Sequence, residues 1–212
     1  MRTVLLASLL AVVPCAAGAD DLPAPPAPTV GAVLTELAAA PEQPEEYKAD
    51  VRLHVRLRVF PWIRITLHGD SWYKRPGLYR FVFRGVPVIA RAFSDMKYDL
   101  GDPEHWPAKY DVAFAPGSTA AAPVLRLTPK TPVLVKTLDV AVDPVHGRIL
   151  KAIWSRSDGG VITLIQNYAP VAGHQFVDKQ TATINLPRMK ADLEASYANF
   201  DTDEAAIGTA PQ

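Results

Sequence analysis

The sequence predicts a mostly β protein of the α+β class, in which a curved antiparallel sheet is covered by an N-terminal helix and a C-terminal helix. Apolar and polar residues alternate in most segments between residues 51 and 186, and turn-forming residues separate these segments. Apolar residues with a helical period occur only near the two ends of the expected domain. Together these three observations favour a single sheet with few helices.

The first 19 residues have the pattern of a secretory signal peptide. A positive start precedes the apolar run Val4–Val13, and the small residues Ala17-Gly18-Ala19 provide a cleavage site. We therefore expect the mature protein to reside in the periplasm. The only cysteine, Cys15, would be removed with this segment. The alternative is a lipoprotein anchored through Cys15, for which Pro14 is a poor preceding residue.

The next residues predict a leader and the first helix of the domain. Residues 20–28 are rich in proline and predict an extended leader, followed by a domain at residues 29–200 and a flexible tail at residues 201–212. Thr29 can cap a helix in which apolar residues recur at i, i+3, i+4 and i+7, and Pro41 ends it. The apolar residues of this helix are Val30, Val33, Leu34 and Leu37.

Alternating segments then predict antiparallel strands joined by hairpins. The residues Arg75-Pro76-Gly77 favour a tight turn between two of them. We expect Val86–Phe93 to continue the sheet at an edge, because Pro87 lacks the N–H group that a central strand requires. The alternating segments are Val51–Val59, Ile63–Leu67 and Leu78–Arg84.

The C-terminal half returns to strand patterns after a long connection. Residues 94–122 are interpreted as an excursion across the sheet, and such a loop often acts as a lid. Pro187 can open a final helix. The apolar side of that helix would carry Met189, Leu193, Tyr197 and Phe200. The strands expected before it are Val124–Thr128, Val133–Val142, Arg148–Ser155, Val161–Tyr168 and Gln175–Leu186.

The first three strands share one apolar face, which is larger than a soluble monomer normally exposes. Either the two helices fill this face as a plain core, or a gap between them accommodates an apolar ligand. Two short helices and a loop cover a wide curved sheet only in part, so we expect a ligand-binding cavity. Its expected lining residues are Leu53, Val55, Leu57, Ile63, Ile65, Leu67, Trp72, Tyr79, Phe81 and Phe83.

Charge is unevenly distributed along the chain. The segment from Lys48 to Lys97 contains eleven basic and three acidic residues, although the net charge of the whole chain is zero. This segment is either a solvated outer face of the sheet or a docking surface for an acidic partner or an anionic lipid headgroup. Nucleic acid is not an expected partner, since no recognition motif accompanies the charge. The candidate docking residues are Arg52, Arg56, Arg58, Arg80 and Arg84.

The chain contains no recognised catalytic or metal-binding motif. Its five histidines are scattered without metal-ligand spacing, and neither HExxH, GxSxG, a P-loop nor GxGxxG occurs. We therefore expect no catalytic residues, no metal site and no cofactor.

Three segments resemble the bacterial outer-membrane lipoprotein carriers, the LolA-like family, which is related to the receptor LolB. They are Gly69-Asp70-x-Trp72-x-Lys74-Arg75-Pro76-x-Leu78, Leu125-x-Leu127-Thr128-Pro129-Lys130, and the pattern LDVAVDPVHGRILKAIW from Leu138 to Trp154. The resemblance implies an incomplete β-barrel lidded by helices, whose apolar concave face shelters the acyl chains of a lipoprotein crossing the periplasm. It also implies a monomer that meets an inner-membrane donor complex and an outer-membrane receptor. The motif residues are Gly69, Lys74, Arg75 and Pro76.

Three functional hypotheses follow from these observations. The first is a periplasmic carrier that binds lipoprotein acyl chains or free lipid. The second is an envelope-stress sensor or protein-binding module that uses the same fold without transporting acyl chains. The third is a hydrolase acting on an envelope component, which requires a cluster of polar residues inside the cavity that the sequence does not reveal.

Overall fold

A computed structural model of the protein describes residues 28–59, 62–203 and 207. The predicted signal peptide, nearly all of the leader and most of the tail lie outside these residues, so the domain boundaries remain predictions. Within the described part of the chain, no helix is long and apolar enough to cross a membrane.

The described residues form two α-helices, two 3-10 helices and eleven strands. In chain order these are α1 (Val30–Ala39), β1 (Glu46–Leu57), β2 (Arg64–Lys74), β3 (Leu78–Arg84), a 3-10 helix (Val88–Phe93), β4 (Asp95–Asp99), a 3-10 helix (Pro103–His105), α2 (Trp106–Lys109), β5 (Tyr110–Phe114), β6 (Val124–Pro129), β7 (Val135–Asp143), β8 (Arg148–Arg156), β9 (Val161–Val171), β10 (His174–Leu186) and β11 (Met189–Asp201).

The strands form a single antiparallel sheet with β4 and β5 at its two edges. The strand order is β4-β3-β2-β1-β11-β10-β9-β8-β7-β6-β5. It consists of two meanders, β1–β4 and β5–β11, joined only where β1 pairs with β11. The predicted class, a mostly β protein built on an antiparallel sheet, is confirmed.

The sheet is strongly curved. Tyr98 on β4 and Gln166 on β9 have five strands between them in the sheet order. In a flat sheet they would be roughly 29 Å apart, at about 4.8 Å per strand. Nevertheless Gln166 Nε2 donates a hydrogen bond to the Tyr98 hydroxyl at 3.4 Å. The sheet therefore curls into an incomplete barrel, which is open between β4 and β5.

The predicted N-terminal helix is confirmed as α1. The Thr29 side chain accepts a hydrogen bond from the Ala32 N–H at 3.2 Å and caps its first turn. The buried residues Val33, Leu34 and Leu37 pack inside the curve of the sheet. Their partners on β6, β7 and β8 include Leu125, Leu127, Val140 and Ile149. This helix fills the concave face of one half of the barrel.

The predicted C-terminal helix is wrong, because residues 189–201 form strand β11. Met189, Leu193 and Tyr197 satisfy a helical spacing. However, Ala191, Leu193, Ala195 and Tyr197 also alternate with period two, and these four face the interior. Pairing on both sides, with β1 and β10, stabilises the strand conformation over any local helical preference.

Two further expectations about the connections are wrong. Residues 88–93 form a 3-10 helix and do not continue the sheet. Residues 94–122 are not one loop, since they contain the edge strands β4 and β5. The connection at residues 100–109 runs from one end of the barrel to the other, across the gap between the edges. Its Trp106 is buried beside α1, so this connection covers part of the opening.

Antiparallel neighbours place the connections alternately at two ends of the barrel. We name the end that carries the β1–β2, β3–β4, β6–β7, β8–β9 and β10–β11 connections the open end. The other end, which carries the β2–β3, β5–β6, β7–β8 and β9–β10 connections, is the closed end. At the open end, a backbone hydrogen bond from the Arg58 N–H to the Lys190 carbonyl, at 2.8 Å, links the β1–β2 connection to the start of β11.

Candidate ligand-binding cavity

The concave face contains a cavity of about 390 Å³ that faces the open end. Residues at the ends of three strands, Val135, Arg156 and Ile162, stand at its mouth. One wall comes from β1, β3 and β4, and the other from β8 to β11. The apolar lining residues deeper inside are Leu53, Phe81, Phe83, Met96, Trp154, Leu164, Ala182, Ile184, Leu193 and Ala195.

Small side chains explain why this part of the barrel is hollow. Ala182 on β10 and Ala195 on β11 face the cavity. They lie in register with Leu193 and Leu53, respectively, so a single methyl group occupies each place where the neighbouring strand presents a larger residue. The interior volume that a large side chain would fill is left to the cavity.

The floor of the cavity is a buried polar layer centred on Gln180. Its amide nitrogen donates to the Tyr98 hydroxyl, and its amide oxygen accepts a hydrogen bond from the Tyr197 hydroxyl. Gln166 lies beside them and its nitrogen donates to the Tyr79 and Tyr98 hydroxyls, each at 3.4 Å. Burial raises the pKa of the Tyr98 and Tyr197 hydroxyls well above their ordinary value. These groups therefore remain neutral hydrogen-bonding groups.

Below this floor, aromatic rings fill the closed end. Tyr47, Tyr73, Tyr79 and Tyr98 are directly opposite one another on β1 to β4. Successive ring centroids in this row are 4.8 to 4.9 Å apart. Phe176 adds its edge to the Tyr47 ring at 5.1 Å. The row leaves no room for a ligand at that depth.

The basic residue at the mouth of the cavity forms an ion pair. The Arg156 guanidinium contacts the Asp158 carboxylate at 2.7 Å. Asp99 also lines the cavity. Arg156 and Asp99 are, with Tyr98, the only ionisable residues in the lining described here. The pocket is thus apolar on its walls, hydrogen-bonding at its floor and charged only at a few positions.

The expected lining residues are divided by the structure. Leu53, Phe81 and Phe83 lie on the cavity wall. Tyr79 is buried in the aromatic row, and Leu67 is buried in the apolar core opposite Leu53. The remaining aliphatic residues Val55, Leu57, Ile63 and Ile65 lie at or near the β1–β2 connection; Val55 is buried in the core and the other three are half-buried. Ligand contact by any of these residues remains a proposal.

Trp72 was expected on the concave face, and this expectation is wrong. It is in register with Lys48 and Arg80, which face outward, whereas its neighbour Tyr73 is in register with Tyr47 and faces inward. The Trp72 indole instead donates to the Ile207 carbonyl at 3.2 Å and lies under the Lys48 ammonium. The inward positions of β2 just before Trp72 carry Gly69 and Ser71. The apolar alternation is therefore interrupted there, and the sequence does not show which way Trp72 faces.

Sequence reasoning missed the wall formed by the C-terminal strands. Trp154, Ile162, Leu164, Ile184 and Leu193 were assigned to strands or to the final helix, but not to a ligand site. The alternation Ile162, Leu164 and Gln166 on β9 does mark an inward face. This alternation could have identified part of the wall from the sequence. That the wall lies opposite Phe81, however, depends on the curvature of the whole sheet.

The motif residues have structural roles within β2 and at the closed end. A side chain at Gly69 would collide with the Val82 carbonyl, so this position requires glycine where β2 meets β3. Lys74 pairs with Glu46 across the β1–β2 ladder. Arg75, next to Pro76 in the β2–β3 turn, donates to the Ala39 carbonyl at the C-terminus of α1, at 3.1 Å. The turn therefore anchors the helix that fills half of the barrel.

The candidate docking arginines lie on the convex face or at the open end, and three of them are paired. Arg58 pairs with Asp192 at 3.3 Å and Arg80 with Asp95 at 2.9 Å. Arg84 contacts Asp70. Arg52 and Arg56 are exposed and make no ion pair with any described residue. Docking through these residues stays a prediction. Across the described ranges, no group of three or more histidine, cysteine or carboxylate side chains could hold a metal ion.

Comparison with known proteins identifies the fold. No protein-family model matches the chain, and no curated protein sequence matches it. A LolA superfamily protein from Nitrosomonas europaea superimposes with a TM-score of 0.55 and 11% identity, covering 84% of this chain and 95% of its own. A domain described as an outer membrane lipoprotein-sorting protein domain, from Vibrio parahaemolyticus, gives 0.56 and 13%, with 82% and 94% covered. A DUF1329 family protein from Desulfovibrio piger gives 0.53 and 12%, with 84% and 99% covered. Identities this low bear on architecture alone, and the protein has a LolA-like fold.

Proposed function

We propose that the protein is a periplasmic carrier that shelters an acyl chain of a lipid or lipoprotein in the cavity of the open end. The observation that carries the proposal is the cavity itself, which has apolar walls and a volume of about 390 Å³. This volume lies within the usual range of small-molecule sites, roughly 300–1,000 Å³. The barrel would release water from its apolar wall when a chain enters.

The chemistry of the lining supports an acyl chain as ligand. Each methylene transferred from water to the walls contributes about 0.8 kcal/mol, so a chain of several methylenes would bind appreciably without any charged contact. The Tyr98 hydroxyl and the Gln180 amide at the floor offer hydrogen bonds to a carbonyl or hydroxyl group that reached them. The length of the acyl chain and its few polar contacts at the floor would together determine which ligand binds.

The same lining supports binding over catalysis. It contains no serine, threonine, cysteine, histidine or lysine among the residues described. Burial raises the pKa of the Tyr98 hydroxyl, which makes it a poor source of a nucleophilic oxygen at neutral pH. A hydrolase would need a nucleophile beside a base, so we propose that the protein is not an enzyme.

The expected location is part of the proposal. The signal-peptide pattern of residues 1–19 would direct the chain to the periplasm. One structural neighbour is described as a lipoprotein-sorting domain, which supports a role in outer-membrane lipoprotein sorting. In that role the protein would take its cargo from an inner-membrane donor and deliver it to an outer-membrane receptor.

The test combines identification of the natural ligand with a matched pair of variants. Native mass spectrometry of protein purified from the envelope, followed by solvent extraction, should reveal a bound lipid or acylated peptide. Ala182→Phe should fill the cavity and lower the uptake of a fluorescent fatty acid at least about tenfold. Ala198→Phe, on the exposed outer face of β11, should leave uptake unchanged. A ligand-free protein that takes up no fatty acid would contradict the carrier proposal.

A protein-binding module is the second candidate, supported by the two arginines without ion pairs. Arg52 and Arg56 project from the convex face of β1, and a partner carrying carboxylates would neutralise them. The variant Arg52→Glu combined with Arg56→Glu should abolish binding of such a partner and leave fatty-acid uptake intact. Loss of fatty-acid uptake in this variant would argue that the convex face and the cavity are not separate binding sites.

A further inference from the structure

The open end of the barrel is strongly basic. Its connections and strand termini, at residues 58–59, 62–64, 84–95, 109–110, 129–136, 156–161 and 186–190, contain ten basic and two acidic residues. Both acidic residues are already paired, Asp95 with Arg80 and Asp158 with Arg156. Lys130 donates a hydrogen bond to the Pro107 carbonyl at 2.6 Å. Six further exposed cations make no ion pair with any described residue: Arg64, Arg91, Lys109, Lys136, Arg188 and Lys190.

The closed end has the opposite charge. Its connections and strand termini, at residues 40–46, 74–78, 99–102, 114–124, 143–148, 171–174 and 201–203, contain eight acidic and three basic residues. A chain with no net charge is therefore polarised along the barrel axis. In an external field such a molecule turns its basic end, which is also the mouth of the cavity, toward negative charge.

Large apolar side chains are exposed on the same basic end. Trp62 in the β1–β2 connection is 77% exposed, and Val88 in the β3–β4 connection is 74% exposed. Val133 and Leu134 in the β6–β7 connection are 57% and 50% exposed. The Leu134 carbonyl accepts a hydrogen bond from the Ser157 N–H at 2.9 Å, which holds this connection against the β8–β9 turn. Apolar residues thus stand on both sides of the cavity mouth.

We propose that the open end docks on the surface of an anionic phospholipid bilayer, with the cavity mouth facing the membrane. Lysine and arginine are attracted to the negative surface potential of such a bilayer, and tryptophan prefers the interface between headgroups and acyl chains. A ring of cations around exposed tryptophan, valine and leucine combines both attractions. The proposal deepens the carrier function proposed above, because an acyl chain could pass between bilayer and cavity without crossing water.

The pattern favours a bilayer over an acidic protein as the occupant. The six cations come from five connections around the rim and are not concentrated in one groove, as recognition of one acidic segment would require. The exposed apolar residues likewise come from three different connections, which suits insertion between headgroups. An acidic polypeptide would use the cations and leave the exposed Trp62 and Val88 without a role.

Vesicle flotation tests the proposal. The full mature protein should bind vesicles that contain phosphatidylglycerol at least about tenfold more strongly than vesicles of phosphatidylcholine alone. Binding should weaken strongly near 1 M salt, where the Debye length falls to about 3 Å. Arg188→Glu combined with Lys190→Glu should reduce binding at least about tenfold. Equal binding to both kinds of vesicle, or none, would overturn the proposal.

A second pair of variants separates membrane docking from general surface effects. Val133→Asp at the open end should weaken vesicle binding, whereas Val145→Asp, at the closed end and 78% exposed, should not. Equal effects of the two changes, or tighter binding to polyglutamate than to anionic vesicles, would contradict a bilayer partner. Fatty-acid uptake by each variant is measured in parallel. A protein that binds vesicles without taking up fatty acid would refute the carrier function and leave membrane docking standing.

Discussion

The two ends of the barrel use the same strands for opposite purposes. At the closed end the inward positions of β10 and β11 carry Phe176 and Tyr197, which contact the Tyr47 and Phe81 rings and share one cluster with aromatic residues of β1 to β4. Toward the open end the same strands carry Ala182 and Ala195, and the interior is hollow. The backbone is continuous between the two regions, so the size of the inward side chains decides which part is core and which part is cavity.

The comparison also separates stability from binding. A filled aromatic end can supply the packing that holds the curved sheet together, while the hollow end remains available for a ligand. Gln180 and its tyrosine partners form the boundary between them. Because this boundary is hydrogen-bonded, it resists both collapse of the cavity and entry of a ligand into the aromatic core.

The largest expected effect contrasts truncation at the two ends. Phe176→Ala removes a ring that is 3% exposed and lies 4.5 Å from the Phe200 ring, and it should lower the free energy of unfolding by about 3–5 kcal/mol. Leu193→Ala, which only enlarges an existing cavity, should cost about 1–2 kcal/mol. Chemical denaturation measures both values. Similar losses for the two variants would remove the distinction between filled and hollow ends.

A smaller effect concerns acid stability at the closed end. Partial burial raises the pKa of Asp143, but hydrogen bonds from Arg148, His146 and the Val145 N–H outweigh it and lower the pKa from 3.8 to about 2. The stabilisation of the fold by ionised Asp143 is therefore fully present above pH 3.8 and is lost as the pH falls toward about 2.

Asp143→Asn should consequently destabilise the protein at neutral pH, on the order of 1 kcal/mol after screening by solvent. The difference from the wild type should disappear as the pH approaches 2. Denaturation curves at several pH values measure this difference. A difference that stayed constant with pH would show that the carboxylate charge is not the stabilising feature.

The smallest expected effect comes from a single hydroxyl. Tyr47 is buried in the aromatic row, and its hydroxyl makes no hydrogen bond of normal geometry with any described residue. Tyr47→Phe should therefore leave stability unchanged or raise it by up to about 1 kcal/mol. Tyr197→Phe is the matched control, because it removes the hydrogen bond to Gln180 and should lower stability by about 1 kcal/mol. Destabilisation by both changes would indicate that the Tyr47 hydroxyl is satisfied in solution.

Local patterns predicted most strands but not the faces on which every residue lies. Alternation with turn chemistry marked β6 to β10 close to their observed ends, since both signals act over a few residues. Trp72 was assigned to the wrong face because Gly69 and Ser71 occupy inward positions and erase the apolar alternation of β2. Strand β11 was mistaken for a helix because alanines at positions 191 and 195 carry little apolar signal.

An apolar cavity could be predicted from the sequence, but its position in the barrel could not. An apolar face larger than the helices could cover was visible in the sequence, and the sequence correctly placed Phe81 and Phe83 on its concave side. The opposing wall of Trp154, Ile162 and Leu193 comes from strands far away in the chain. Only the curvature that brings β9 and β10 to β4 makes these residues neighbours, and no short segment encodes that curvature.

The pairing of β1 with β11 also orders the steps by which the chain can fold. Residues that meet across this pair, such as Lys48 and Asp201, are more than a hundred positions apart, whereas every other strand pair joins consecutive strands. The two meanders can form early from local hairpins, but they remain separate until the last strand arrives between them. Such a long-range closing step makes folding slow and exposes the inner faces of both meanders in the meantime. A chaperone that binds apolar strands would have its substrate during this interval.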